Sequence, residues 1–320
     1  MPNAAESPSA VSRPLEMDRY PMRLWAKAKR LGTWDPAAID LLQDRADWQQ
    51  MSDREQDLLL RLTTQFMGGE ESVTHDLLPL LHWTGAQGWI EDEMFLTSYL
   101  WEEAKHVEAF HRLVQDVMTP PTDPSQYFTT AYETLFFEEL PAAMEALHDD
   151  PSPATVARAA VTYQIIVEGV LAETGYTAYY SVLDTHDLMP GVRAIVRNIQ
   201  QDESRHIGYG VYLLSRLLAT HGTPVRAAID ERLEALLPLI IDHITATLAP
   251  YGDDVPFGIS AEAFVDIGMA QFEKRAARLN VAEEKSLDEI VYAREASAPT
   301  DAGTVAATLP STEEEAKRNA

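Results

Sequence analysis

Cysteine is absent from the 320-residue chain. That excludes disulfides, thiolate nucleophiles, thiolate-bound zinc and iron–sulfur clusters, and it fits a reducing compartment. Basic charge is scarce: 25 Lys and Arg stand against 51 Asp and Glu, a net charge of −26. Such a surface offers phosphates nothing, so nucleic acid is not an expected partner. No run reaches about 18 consecutive apolar residues, so no membrane span is expected. The opening MPNAAESPSAVSRP has neither the basic nor the apolar region of a secretory signal, which makes the cytoplasm the expected location. Strand patterns are also few.

Helical signals are abundant instead. Residues 1–16 are rich in Pro, Ser and Ala and read as a disordered lead, and from residue 282 onward the chain reads as an acidic, disordered tail. Between them, residues 17–281 read as one all-helical domain. Ser52 and Glu55 form a capping box before Leu58, Leu59, Leu62 and Phe66 at helical spacing, and that helix carries Glu70 towards Pro79. Further helices are predicted over 91–117, 127–147 and 150–183, the last opened by Asp150 as N-cap with Pro151 behind it. Three more follow over 190–221, 225–248 and 260–279.

One constellation occurs twice. A lone Glu is followed a helix later by Glu-x-x-His: Glu70 with Glu103 and His106, then Glu168 with Glu203 and His206. The gap between lone and paired Glu is 33 residues in the first half and 35 in the second. Four carboxylates and two imidazoles are the ligand set of a dinuclear metal site inside a four-helix bundle. With 28 Glu and 9 His, chance alone supplies roughly 0.8 Glu-x-x-His pairs, so a single one means little. Four are present. Glu108/His111 begins about 140° round the helix from Glu103, and Glu145/His148 has no lone-Glu partner, so both are set aside. Residues i and i+3 share a helix face, which lets Glu and His converge on one ion. Two divalent cations would cancel four negative charges that a bundle interior could not otherwise tolerate. Oxygen and nitrogen donors without thiolate suit iron or manganese. Glu71 could stand in for Glu70. Glu102 could stand in for Glu103, but its spacing to His106 is wrong. Asp202, just before Glu203, could orient an imidazole across the site from behind.

The segments GGEESVTHDLLPL, EEAKHVEAF, VTYQIIVEG and DESRH, spread over residues 25–280, resemble the ferritin-like superfamily branch that contains the class I ribonucleotide reductase small subunit. Within it, the chain is most similar to the ligand-binding oxidases related to that subunit. The resemblance implies a ferritin-like four-helix bundle with additional helices, and the metal ligands Glu70, Glu103, His106, Glu168, Glu203 and His206. It also implies a manganese/iron pair, with manganese held by Glu70, Glu103 and His106. It further implies a long-chain fatty-acid-like ligand bound through its carboxylate, dioxygen as co-substrate, and a homodimer. A reductase subunit carries a radical-bearing Tyr four residues after the first His; here that residue is Phe110. The oxidases instead join a Val Cβ to a Tyr oxygen, and Val73 and Tyr163 occupy those positions. The expected activity is therefore dioxygen-activating oxidation, with a reductase subunit using a metal-centred oxidant as the rival. Metal storage and a purely structural bundle are weaker rivals. Gly68, Gly69 and Gly169 beside the lone acids each cost about 1 kcal/mol against Ala in a helix, so space for a ligand tail or close helix contact is wanted there.

Overall fold

The computed structural model describes residues 13–293 and is all-helical over them. After α1 (Tyr20–Leu31) and α2 (Leu42–Gln50) comes α3 (Asp53–Asp76). Its capping box is formed as the sequence predicts, with Ser52 and Glu55 satisfying each other's backbone N–H groups. A short α4 (Leu78–Ala86) turns the chain into α5 (Ile90–Arg112). The helix expected over 127–147 runs without a gap over 130–149, passing from an α turn (Thr130–Glu133) through a π-helical stretch (Thr134–Glu139) into α6 (Leu140–Asp149). Pro141, near the start of α6, cannot donate a backbone hydrogen bond, which fits the change of winding there.

The next helix is one continuous rod in three parts: α7 (Pro153–Ala160), a π-helical stretch (Val161–Ala172) and α8 (Glu173–Leu183). Its cap is not Asp150. Ser152 accepts from the Thr155 N–H with Pro153 at the first helical position, and Asp150 accepts from the Ser152 N–H outside the helix. The Ser-Pro pair wins because its oxygen reaches the N3 donor that an N-cap must satisfy. Then follow α9 (Pro190–His221), α10 (Thr223–Leu248), α11 (Ala261–Ala282) and α12 (Leu287–Val291). The helical fold thus continues past residue 282: Ser286 and Glu289 make a second capping box, and Ile290 and Val291 are buried. The rest of the predicted tail, and most of the N-terminal lead, lie outside the described residues.

Four rods form the bundle, α3 against α5 and α9 against the π-helical stretch, with α1 laid on α5 and α10 and α11 covering the π-helical stretch. The core follows their inner faces, from Leu58, Leu59 and Leu62 through Phe95, Tyr99 and Phe110 to Ile195, Ile199 and Leu213. Helix α9 has no acid in its own first turn. Two carboxylates of α2 supply the missing acceptors: Asp47 takes the Met189 N–H at 2.7 Å, and Asp44 takes those of Gly191 and Val192 at 3.0 and 2.7 Å. Two segments, Pro153–Leu183 and Thr223–Tyr251, are long and apolar enough to cross a membrane by length and composition, although neither contains a long uninterrupted apolar run. In the first, 78% of the apolar window is buried in protein, so its apolarity serves the bundle core; in the second the share is 33%.

Helix α9 meets the π-helical stretch at Gly210, where a Cβ would lie only 2.2 Å from the Cβ of Gln164. Gly210→Ala must push the two rods apart, and the expected cost is about 1–3 kcal/mol of stability. A urea denaturation midpoint equal to that of the parent would show that the contact yields freely.

Candidate metal centre

The six side chains singled out by their spacing converge in the middle of the bundle. Each is at most 5% exposed. Two overlapping groups form, Glu70, Glu103, His106 and Glu203 in one, Glu103, Glu168, Glu203 and His206 in the other, with one donor atom of every member within 4.8 Å of the rest. Glu103 and Glu203 belong to both. Glu71 is exposed and Glu70 buried, so the geometry selects Glu70 between them. Glu108, His111, Glu145 and His148 are all exposed, outside this cluster.

The donor atoms aim at shared centres rather than at one another. His106 Nδ1 lies 3.4 Å from Glu70 Oε2, 3.5 Å from Glu103 Oε2 and 3.4 Å from Glu203 Oε1. His206 Nδ1 lies 2.9 Å from Glu103 Oε1 and 3.3 Å from Glu203 Oε2. Yet both Nδ1 atoms, both Glu103 oxygens, Glu168 Oε2 and Glu203 Oε2 have no aligned hydrogen-bond partner although they are buried. Buried polar atoms without partners are costly, and in a native fold they call for an ion or a water. This donor set, oxygen and imidazole nitrogen without sulfur, fits two divalent cations of the manganese or iron kind.

The same crowding of charge sets the protonation equilibria of these groups. Burial pushes the Glu70 carboxyl up to about 8 and the Glu168 carboxyl well above its usual range. Burial would lower both histidines, but the carboxylates around them more than offset it and raise both well above the ordinary imidazole value. Burial alone would also raise Glu103, but His206 and His106 beside it hold it down at about 2.

Behind each imidazole stands a second carboxylate, supplied by the opposite helix. His106 Nε2 faces Asp202 Oδ2 at 3.2 Å, as expected of Asp202. His206 Nε2 faces Glu102 Oε2 at 2.8 Å. Glu102, weighed in the sequence only as a rival to Glu103, thus faces the far side of the other histidine. Lys105 donates to Asp202 at 2.8 Å and Arg205 to Glu102 at 2.6 Å, and Trp34 Nε1 donates to Asp202 at 2.8 Å. The two strings, Glu102-Glu103-x-Lys105-His106 and Asp202-Glu203-x-Arg205-His206, repeat one pattern of acid, acid, cation and imidazole. That repeat could have revealed Glu102. Tyr99 also escaped notice: one turn before Glu103, its ring stacks on His206 with centroids 3.6 Å apart, and its hydroxyl donates to Glu168 Oε1.

Val73 and Tyr163 are both buried, and the Tyr163 hydroxyl donates to the Val73 carbonyl at 2.7 Å. Tyr163 precedes Glu168 by five residues, about 140° apart on an α-helix. The rod is π-helical here, with hydrogen bonds from i to i+5, which returns the two residues towards one face. Phe110 is fully buried and stacked on Phe66, with centroids 5.1 Å apart.

An apolar cavity of about 880 Å³, including the space at its mouth, opens on one side of the centre. Glu70, Val73, Glu168 and Glu203 line its inner end, and Leu62, Phe66, Val167 and Leu171 its walls. Gly69 lines it too, with the Phe136 ring 3.3 Å from where a Cβ would stand. At Gly68 and Gly169 the spared space is taken by the Tyr132 hydroxyl and the Arg275 side chain, which is close contact rather than room for a tail.

The model of the family described as ribonucleotide reductase, small chain, matches residues 19–252. Among solved structures, an R2-like ligand-binding oxidase from Sulfolobus acidocaldarius is 32% identical, with a TM-score of 0.82 over 89% of this chain and 98% of its own. Another R2-like ligand-binding oxidase, with an aerobically reconstituted Mn/Fe cofactor, is also 32% identical, with a TM-score of 0.83 over 86% of this chain and 98% of its own. A single-valine variant with an anaerobically reconstituted Mn/Fe cofactor is 33% identical, with a TM-score of 0.80 over 86% and 98% of the two chains. The chain therefore belongs to the ribonucleotide reductase small-chain family and, within it, to the R2-like ligand-binding oxidases.

Proposed function

We propose that the protein is a dioxygen-activating oxidase whose Glu70, Glu103, His106, Glu168, Glu203 and His206 hold a manganese/iron pair, with manganese on the Glu70 side. The carrying observation is the set of buried, partnerless donor atoms aimed at two overlapping centres. The Mn/Fe cofactor of the similar oxidases supports the choice of metals. Glu103 and Glu203, members of both groups, would bridge. Asp202 and Glu102 would fix the two imidazoles with Nδ1 towards the metals, and their charges are offset locally by Lys105 and Arg205. The cavity would receive a long-chain fatty-acid-like ligand, its carboxylate at the metal end beside Glu70, Glu168 and Glu203 and its tail along the apolar walls.

A manganese/iron pair bound here supplies two of the four electrons that reduce dioxygen to water. Val73 and Tyr163 would supply the other two during maturation. Breaking the Val73 Cβ–H and the Tyr163 O–H and joining Cβ to the phenol oxygen releases two electrons and two protons. Those two electrons and two protons, with two electrons from a bound metal pair and two further protons, would balance the reduction of one dioxygen to two waters. Until then the buried phenol keeps its proton, since burial raises its pKa far above that of a free tyrosine, and gives it to the Val73 carbonyl as a hydrogen bond. Phe110 offers no phenolic O–H where a reductase subunit carries its radical, which supports the oxidase reading over the rival one.

Three outcomes are expected. Metal binding competes with protonation at Glu70, Glu168, His106 and His206, all of whose pKa values are raised, so loading divalent ions at neutral pH should release protons, measurable by calorimetry in buffers of different ionisation enthalpy. Affinity should accordingly fall as the pH drops; uptake with no proton release would sink this charge balance. Glu102→Gln should weaken metal binding about 10- to 100-fold in a titration, because His206 loses its charged partner. After loading in air, mass spectrometry should find the Val73 and Tyr163 peptides joined and two hydrogens lighter than their sum, and Tyr163→Phe should leave them separate. Two unlinked peptides from the air-matured parent would refute the cross-link.

A further inference from the structure

The cavity is not apolar throughout. His243 and Thr247, one turn apart on α10, both line it, and so does Gln65 of α3. Gln65 and Glu70 are five residues apart on the same helix, so this polar patch lies about 7.5 Å along α3 from the metal end.

The hydrogen bonds there leave donors over. Thr129 Oγ1 accepts the Tyr132 N–H at 3.0 Å, so its own hydrogen is free for His243 Nδ1, 3.1 Å away. His243 is neutral, since burial pushes it down to about 4. Nδ1 accepting is the tautomer that gives the Thr129 hydroxyl an acceptor, since the described residues offer it no other; the imidazole proton then sits on Nε2, for which the described residues provide no acceptor. The ring is enclosed by protein yet keeps some accessible surface, consistent with its place on the cavity wall. Thr247 behaves in the same way. Its Oγ1 accepts from Gln65 Nε2 at 3.2 Å. Unlike Thr63, Thr84 and Thr174, it makes no bond to the carbonyl four residues back, so its hydrogen too has no acceptor among the described residues. Two donors on one helix face, without protein acceptors, border a space otherwise walled by Phe66, Leu62, Val167 and Leu171.

We propose that the cavity selects an acyl chain bearing an oxygen acceptor, a keto or hydroxyl oxygen, near its middle, and that His243 and Thr247 recognise that oxygen. The inference rests on the lipid reading above and adds the chemical class of the lipid. An unsubstituted chain would cover both donors with methylene groups and leave them unpaired, which a site built to hydrogen-bond penalises. A matching oxygen satisfies both.

The test uses the full-length, metal-loaded, delipidated protein and titration calorimetry. Three probes are compared: hexadecanoic acid, the same acid with one keto oxygen at mid-chain, and the same acid with the keto oxygen beside the methyl end. The mid-chain keto acid should bind about tenfold more tightly than the other two. In His243→Phe and in Thr247→Val that preference should shrink towards unity, while plain hexadecanoic acid binds as well as before or better, which also shows that the variants are folded. Equal binding of all three probes by the parent would overturn the proposal and leave the lipid reading standing, with the donors serving only an ordered water. A preference that survives both substitutions would overturn it as well. Failure of every probe to bind would overturn both readings.

Discussion

Four buried carboxylates, Glu70, Glu103, Glu168 and Glu203, crowd into two overlapping groups that share Glu103 and Glu203. Left ionised and alone they would repel each other and pay the full desolvation penalty of buried charge. Everything around them answers that problem. The outer ring is balanced within itself, Glu102 and Asp202 against Lys105 and Arg205, so it lends the inner ring orientation without net charge. The inner ring is left with four uncompensated negative charges. Two doubly charged cations would meet that need, and the same crowding is what raises the pKa values of Glu70, Glu168, His106 and His206. If the site takes up metal as proposed, binding and folding would be linked through this one electrostatic constraint.

Much of this was legible in the sequence because the site uses helix geometry directly. Glu103/His106 and Glu203/His206 share an i, i+3 spacing with two other pairs, and were separated from them because Glu108 lies about 140° round the helix from Glu103 and Glu145/His148 has no lone-Glu partner. The bundle and its main helices were equally legible from caps and apolar periodicity. Less legible was anything that depended on partners far away in the chain. Glu102 reads as a spare acid until α9 is laid beside α5, because its partners are His206 and Arg205, more than a hundred residues on. Tyr99 reads as core until Glu168 arrives.

Backbone winding was hidden altogether. The segment VTYQIIVEGVLA has no composition that distinguishes a π-helix from an α-helix, and an α-helical period would turn Tyr163 away from Glu168. The wider turn reconciles a five-residue spacing with a shared face. It also explains how Tyr163 reaches Val73 on the facing rod while Glu168 reaches the centre. The cap at Ser152 rather than Asp150 was a smaller miss of the same kind. Two polar residues two positions apart compete for one helix start, and the winner is decided by which oxygen reaches the third N–H.

The start of α9 has a consequence for the order of assembly. That helix carries half of the centre, Glu203 and His206, but the acceptors for its first N–H groups belong to Asp44 and Asp47. A ribosome delivers those two carboxylates roughly 145 residues ahead of the amides they receive, so the dock exists before the helix that needs it. Until α9 lands there, its leading amides have no carboxylate of their own helix to receive them.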